Sequence, residues 1–259
     1  MVATTTIDTP PRRRRGRGLI ALVVILILVV LAAVAGEFAA RGIVRDQVRE
    51  RAVAALGLPA DHPVEVGLGG IVLAQLVAGR LDEVHLSSED VPLAGLTVDA
   101  DVELTGVPVR DGAAGGAGAA HLRLDDAAVE QLLAQSELPP ALSGAAVALA
   151  EPDVVLSNEF EVLGTPLPVE LAVTPGAAEG ALTLTPARAR LGELDLGLDQ
   201  LAAVIGVTPE PTSVCIADRL PAGFEITAVA VVGDHLEADA DIAEGTLSDP
   251  ALQQPGTCD

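Results

Sequence analysis

Residues 19–36, LIALVVILILVVLAAVAG, form a stretch of eighteen residues without a polar or charged side chain. As a helix rising about 1.5 Å per residue, the stretch reaches about 27 Å and nearly spans a hydrocarbon core of about 30 Å. Five arginines stand directly before it: Arg12, Arg13, Arg14, Arg15 and Arg17. Because clustered arginines resist translocation, the sequence predicts that the N-terminus stays in the cytoplasm and that everything after Gly36 is exported.

The same stretch also fits a cleavable signal peptide. Ala33, Val34 and Ala35 form a small-x-small triplet of the kind after which signal peptidase cuts, and residues 19–31 have the length of a secretory apolar core. The apolar run continues through this triplet, which favours a retained membrane anchor over a cleaved signal. Either form predicts a basic tail (1–18), a transmembrane or signal segment (19–36) and an exported domain (37–259) outside the cell membrane.

The exported part is strongly acidic. Residues 37–259 contain ten arginines and thirty-six aspartates and glutamates, which leave a formal charge of −26. Such a surface repels nucleic acid and anionic membrane surfaces, so the sequence predicts no nucleic acid partner and argues against binding to either one through charge. Cys215 and Cys258 are the only two cysteines. In an oxidising compartment this pair predicts a disulfide.

Alternation with a period of two predicts antiparallel strands. Over residues 96–105, apolar side chains alternate with Thr, Asp and Glu, so one face of the strand is apolar and the other is acidic. Residues 226–232 and 236–242 predict a hairpin that turns at Gly233 and Asp234. Residues 96–104 and 235–242 both contain Asp-Ala-Asp, with apolar residues on the opposite face. This echo favours a repetitive, curved antiparallel sheet.

Helical signals are fewer. Residues 38–56 have apolar side chains at three- and four-residue steps before Gly57, which predicts an amphipathic helix. Residues 126–135 and 198–205 predict two short helices. Residues 71–77 form an uninterrupted apolar run between glycines, and its length fits a buried helical turn or a strand.

Three further segments connect these elements to a family: GRLDEVHL (79–86), LTVDADVEL (96–104) and RLPAGFEITAVAVVGDHLEADAD (219–241). Together with the basic N-terminus and the apolar segment, they resemble the actinobacterial LmeA-like family of envelope phospholipid-binding proteins over residues 38–242. The resemblance implies an α+β, tubular lipid-binding-like fold, in which a curved antiparallel β-sheet wraps around a long helix. It also implies an apolar groove for phospholipid or glycolipid and a role in lipomannan assembly, with envelope-synthesis proteins as further partners.

The groove that this resemblance implies would be lined by the apolar sides of the first strands and of the run at residues 71–77. The predicted lipid-binding residues are Val64, Val66, Leu68, Ile71, Val72, Leu76, Leu96, Val98 and Val102. The alternative is that the same strands close on themselves as an ordinary core, and alternation alone favours that alternative.

The sequence contains no motif for catalysis. The four histidines have no metal-ligand spacing, and no nucleophile elbow or phosphate-binding loop is present. The Asp-Ala-Asp triplets could hold a hard cation, but such ions need ligands from several directions, and a solvated acidic face explains the triplets more simply. The sequence therefore predicts a non-enzymatic protein with no cofactor and no metal. The alternative is an enzyme, or an enzyme accessory factor, of envelope glycolipid synthesis that uses these acids.

Overall fold

The computed structural model describes residues 15–93, 96–109, 115–134, 144–162, 165–178, 180–192, 194–197, 211–246 and 248–258. The α+β fold class is confirmed. The helices are α1 (Arg15–Leu56), α2 (Val72–Ala78) and α3 (Asp126–Ala134), with a 3-10 helix at Ala217–Arg219. The strands are β1 (Glu65–Leu68), β2 (Arg80–Leu93), β3 (Leu96–Pro108), β4 (Gly118–Leu124), β5 (Ala146–Ala150), β6 (Asp153–Val162), β7 (Thr165–Ala178), β8 (Ala181–Leu191), β9 (Leu194–Leu196), β10 (Thr212–Cys215), β11 (Phe224–Val232) and β12 (His235–Ile242).

Helix α1 continues without a break from the apolar stretch into the predicted amphipathic helix. A single glycine such as Gly36 costs a helix only about 1 kcal/mol relative to alanine, so the surrounding alanines keep the helix intact. Among the described residues, α1 is the one helix long and apolar enough to cross a membrane. Its large apolar side chains from Leu22 to Val34 are exposed, whereas Val44 further along is buried against the domain.

The strands divide between two antiparallel sheets. The first sheet has the order β1-β2-β3-β4-β12-β11, and the second has the order β10-β8-β7-β6-β5 with β9 paired to β8. The chain leaves the first sheet after β4, builds the second sheet, and returns through β11 and β12. The predicted hairpin at Gly233 is confirmed, and its strand β12 pairs with β4. The two Asp-Ala-Asp strands, β3 and β12, therefore flank β4 on opposite sides.

Buried apolar side chains form two clusters on the inner face of the first sheet. The helix cluster joins α1 and α2 to this sheet through Val44, Leu68, Val72, Leu81, Val84, Leu104, Ala120, Ala240 and Ile242. The intersheet cluster joins the first sheet to α3 and the second sheet through Leu58, Val91, Val98, Leu124, Ala128, Val129, Ala145, Val154, Leu156, Val169, Leu171, Val173, Ala189, Val229, Val231 and Leu236. Strand β3 takes part in both, because Val98 belongs to the intersheet cluster and Leu104 to the helix cluster.

The ambiguous run at residues 71–77 is helical. Helix α2 begins after Ile71 and ends at Gly79, whose φ of 85° is the left-handed conformation that glycine adopts most readily. The short helix predicted at residues 126–135 is α3, which ends at Ala134. The helix predicted at residues 198–205 lies outside the described residues.

Cys215 and Cys258 form a disulfide, with their Cα atoms 5.9 Å apart. The bond joins β10, the outermost strand of the second sheet, to the C-terminal tail. The same tail is held to the chain ahead of β11 by backbone hydrogen bonds from Ala222 to Gln254 and from Gly256 to Leu220. The crosslink therefore ties the second sheet to the strand that completes the first.

Removing the crosslink should destabilise the protein. The two cysteines are 43 residues apart, and closing a loop of this size stabilises a folded chain by about 2–4 kcal/mol, mainly by restricting the unfolded chain. We expect Cys215→Ser with Cys258→Ser to lower the melting temperature in a thermal melt followed by circular dichroism. A reductant should lower the melting temperature of the wild type and leave that of the double variant unchanged. A wild type that melts identically with and without reductant would contradict the bridge.

Candidate functional site

Between the two buried clusters, the inner face of the first sheet is incompletely covered. Seven apolar side chains in this region are half-buried, and we refer to them as the apolar band: Val66, Leu86, Ala100, Val102, Leu122, Ile226 and Ala238. Val66, Leu86 and Val102 contact the helix cluster, Ala100, Leu122 and Ala238 contact the intersheet cluster, and Ile226 contacts both. The band therefore connects the helix cluster to the intersheet cluster, and the residues of both clusters are buried.

Strand register makes the band continuous across the first sheet. Val66 lies opposite Leu86, which lies opposite Val102 on β3. Two residues away from Val102 on β3, Ala100 lies opposite Leu122 of β4, which in turn lies opposite Ala238 of β12. Since side chains of alternate residues project from the same face of a strand, these residues form one apolar surface that crosses from β1 to β12.

The covers of this face come from different parts of the chain. Helix α1 contacts β1 and α2, whereas α3 contacts β3, β4 and β12. Strand β11 packs against β7 of the second sheet. Helix α1 also runs past the middle of the face, because Val48 packs against the helix cluster and Val53 against the intersheet cluster. The side chains in the middle are half-buried and so keep some apolar area that can still be covered. An acyl chain suits that area, because each buried CH₂ group contributes about 0.8 kcal/mol.

The nine residues predicted to bind lipid differ in how far they are buried. Val66 and Val102 belong to the apolar band, while Val64, Leu76 and Leu96 are half-buried at its borders. Leu68, Val72 and Val98 are buried inside the two clusters, and Ile71 is 64% exposed on the outside of the protein.

Sequence reasoning missed five residues of the band: Leu86, Ala100, Leu122, Ile226 and Ala238. The alternation of apolar and polar residues along β2, β3, β4, β11 and β12 places each of these five residues on the inner face, so their orientation could have been predicted from the sequence. What alternation does not indicate is where the covers of that face end.

Comparison with known proteins identifies the family. The model of the LmeA-like phospholipid-binding family matches residues 35–241, which include every residue of the apolar band. The chain belongs to this family. No curated protein and no solved structure matches it. The resemblance inferred from the three sequence segments is thereby confirmed for this LmeA-like protein.

In this LmeA-like protein, the acidic side chains of the two Asp-Ala-Asp triplets lie on the outer face of the first sheet. Asp101 and Asp239 lie opposite His121 from its two sides, and His121 Nδ1 lies 2.6 Å from Asp239 Oδ1. Asp99 accepts a hydrogen bond of 3.0 Å from the backbone N–H of Asp90, whose φ of 55° marks a bulge in β2. Within the described residues, no group of three or more histidine, cysteine, aspartate or glutamate side chains is arranged to hold a metal ion.

A cleft of about 530 Å³ lies on the outer face of the second sheet and contains none of the nine predicted residues. Its lining includes Val155, Glu170, Ala172, Arg188, Arg190 and Asp195. Arg188 donates to Asp153 over 2.9 Å, and Arg190 donates to Asp195 over 2.9 Å. Since both guanidinium groups already have carboxylate partners, we assign these charges to holding the strands together.

Asp153 is the buried member of these pairs. Burial by itself would raise the pKa of Asp153, but hydrogen bonds from Thr174 and Arg188, together with the charge of Arg188, outweigh it and hold the pKa below its ordinary value. The Thr174 hydroxyl donates to the carboxylate over 2.6 Å. Asp153 thereby links β6 to β7 and β8.

This linkage should make stability depend on pH. Because the folded-state pKa of Asp153 is lowered, its contribution is fully present above the unfolded-state pKa of about 3.9 and is lost as the pH falls through the folded-state value. We expect Asp153→Asn to lower the free energy of unfolding at neutral pH by roughly 1.5–3 kcal/mol, the range for hydrogen bonds to a charged group. Urea titrations in steps from neutral to acidic pH measure the difference.

The matched control is Asp195→Asn, which removes a carboxylate that also binds an arginine but is exposed. Its loss should change the free energy of unfolding by less than about 1 kcal/mol. A gap between wild type and Asp153→Asn that stays constant into strong acid would contradict the linkage.

Proposed function

We propose that this protein binds a phospholipid or glycolipid of the cell envelope by laying acyl chains on the apolar band. The observation that supports the proposal is the half-buried band between two closed clusters, in a chain whose family is a phospholipid-binding one. About ten methylenes covered by the band would contribute roughly 8 kcal/mol of transfer free energy. The association cost is about 4–15 kcal/mol, so this apolar burial is of the same size as the cost that it must offset.

The proposed location is the outer side of the cell membrane, with the domain tethered by α1 or released after cleavage. The disulfide supports an oxidising compartment, and the arginines ahead of the apolar stretch support an N-terminus that stays inside. Since α1 runs from the apolar stretch into the domain as one helix, a retained α1 would hold the domain directly at the membrane surface. From there the protein would support lipoglycan assembly, including that of lipomannan, together with envelope-synthesis proteins.

Lipid binding is better supported than catalysis. The first Asp-Ala-Asp triplet positions the β2 bulge through Asp99, and the second contacts His121 through Asp239. These roles account for the acids as surface and structural groups, whereas the apolar band keeps part of its area exposed beyond its contacts with the two clusters.

The band is tested by one substitution made at two places on β3. Val98 and Val102 have the same side chain on the same face, but Val98 is 4% exposed within the intersheet cluster and Val102 is half-buried in the band. We expect Val102→Trp to reduce uptake of an acyl-fluorescent phosphatidylglycerol with little change in melting temperature, because it fills uncovered space. The control Val98→Trp should overpack the core and destabilise it by about 1–3 kcal/mol.

Leu122→Trp provides a second test from the other half of the band. The result that contradicts the proposal is a large drop in melting temperature for both band variants with lipid uptake unchanged. The band would then be part of an ordinary closed core.

Topology is tested separately. A periplasmic-type alkaline phosphatase fused after Asp259 should be active, because the arginine cluster keeps only the N-terminal tail inside. Inactive phosphatase, with an active cytoplasmic reporter at the same position, would contradict the orientation. The intact mass of the native protein then shows whether the chain begins at Met1 or has been cut after Ala35.

A further inference from the structure

The outer surface of α2 has apolar side chains that the described structure leaves largely or partly uncovered. Val77 is 85% exposed, Ile71 is 64% exposed and Leu73 is 36% exposed. Helix α2 has the sequence VLAQLVA and contains no charged residue. Single exposed apolar side chains are common, but two on an uncharged helix and a third at the residue directly before it mark a candidate interaction surface.

Helix α2 is fixed to α1 at the end of the apolar stretch. The carboxylate of Glu37 accepts the backbone N–H groups of Val72 and Leu73, each over 2.9 Å. Arg41, one turn further along α1, forms an ion pair with Glu37 and donates to the carbonyl oxygen of Leu68 over 2.9 Å. These bonds satisfy the first N–H groups of α2, which have no partner within the helix.

The inner side of α2 is equally well held. Val72 is completely buried in the helix cluster. Gln75 is buried as well, and its amide donates to the carbonyl oxygen of Gly69 over 2.9 Å and accepts from the N–H of Asp82 over 3.2 Å. The exposed apolar side chains are therefore presented by a rigid element.

We propose that α2 rests on the bilayer that α1 enters, with Ile71, Leu73 and Val77 in the boundary between headgroups and acyl chains. The position of α2 argues for this occupant: a Cβ placed on Gly36, the last residue of the apolar stretch, would lie 3.3 Å from Cδ1 of Leu73. An apolar surface at that level meets lipid as soon as the stretch spans the membrane. Interfacial helices of this kind bury their apolar face about 5–10 Å into that boundary.

The inference rests on the membrane insertion proposed for α1 and extends it to the lipid-binding domain. The buried side of α2 belongs to the helix cluster, which borders the apolar band through Val66 and Val102. One rigid helix would thus contact the bilayer on one side and the border of the lipid-binding face on the other. A lipid leaving the membrane beside α2 would have an apolar surface next to it.

The full chain offers a clean labelling experiment. Its two cysteines are joined in the disulfide, so one introduced cysteine is the only free thiol. Val77→Cys, labelled with an environment-sensitive dye, is compared with Val232→Cys after reconstitution into phosphatidylcholine–phosphatidylglycerol vesicles. Val232 is an exposed valine next to Val231 of the intersheet cluster, whereas α2 and Val77 adjoin the helix cluster. Leu28→Cys, within the apolar stretch, reports the insertion of α1.

We expect lipids with a quencher on the acyl chain to remove more than half of the fluorescence at Val77 and at Leu28, and almost none at Val232. Quenching at Leu28 without quenching at Val77 would overturn the docking of α2 and leave the insertion of α1 intact. A blue-shifted but unquenched dye at Val77 would mean that protein covers α2, which also overturns the proposal. Absence of quenching at Leu28 would overturn both the insertion and the docking.

Discussion

The structure depends on one constraint: the apolar inner face of the first sheet must be covered along strands that are longer than any single cover. Strand β3 has thirteen residues and, at about 3.3 Å per residue, spans about 43 Å. A helix is only about 10 Å wide. The chain meets the constraint with α2 and the helix cluster at one end and with α3 and the second sheet at the other, while α1 runs from one to the other past Val48 and Val53. The apolar band is the part of the face that lies between these two solutions.

The same constraint explains how far the sequence could predict the fold. Alternation with a period of two is a local property, so β3 and the hairpin at Gly233 could be recognised, and the two cysteines predicted their own pairing. The pairing of β12 with β4 could not be predicted, because the second sheet separates these strands in the chain. The helical state of α2 was ambiguous because it is favoured by a carboxylate, that of Glu37, which is thirty-five residues away from Val72.

The residues of the apolar band were predicted less completely than the fold, for a physical reason. Whether an inner-face valine is buried or half-buried depends on what lies above it. Val98 and Val102 are both valines on the inner face of β3. Val98 is buried within the intersheet cluster, whereas Val102 is only half-buried. The prediction also favoured the first strands and so omitted Leu122 on β4. It omitted Ile226 and Ala238 as well, which reach the band only when the chain returns to the first sheet.

The acidic side chains on the outer face are explained by the first sheet having only one apolar face. A sheet that presents its apolar face inward leaves every second residue in water, and in this chain many of those residues are aspartate or glutamate. Asp99 shows that such a residue also shapes the sheet, because its bond to the N–H of Asp90 holds a bulge in β2. Bulges bend a strand and increase its twist, which helps a long sheet to curl toward its covers. Because Glu37 and Gln75 hold α2 from both sides, α2 is not built as a moving lid. In the proposed function, a lipid therefore reaches the band without movement of α2, along a face that the fold leaves partly open.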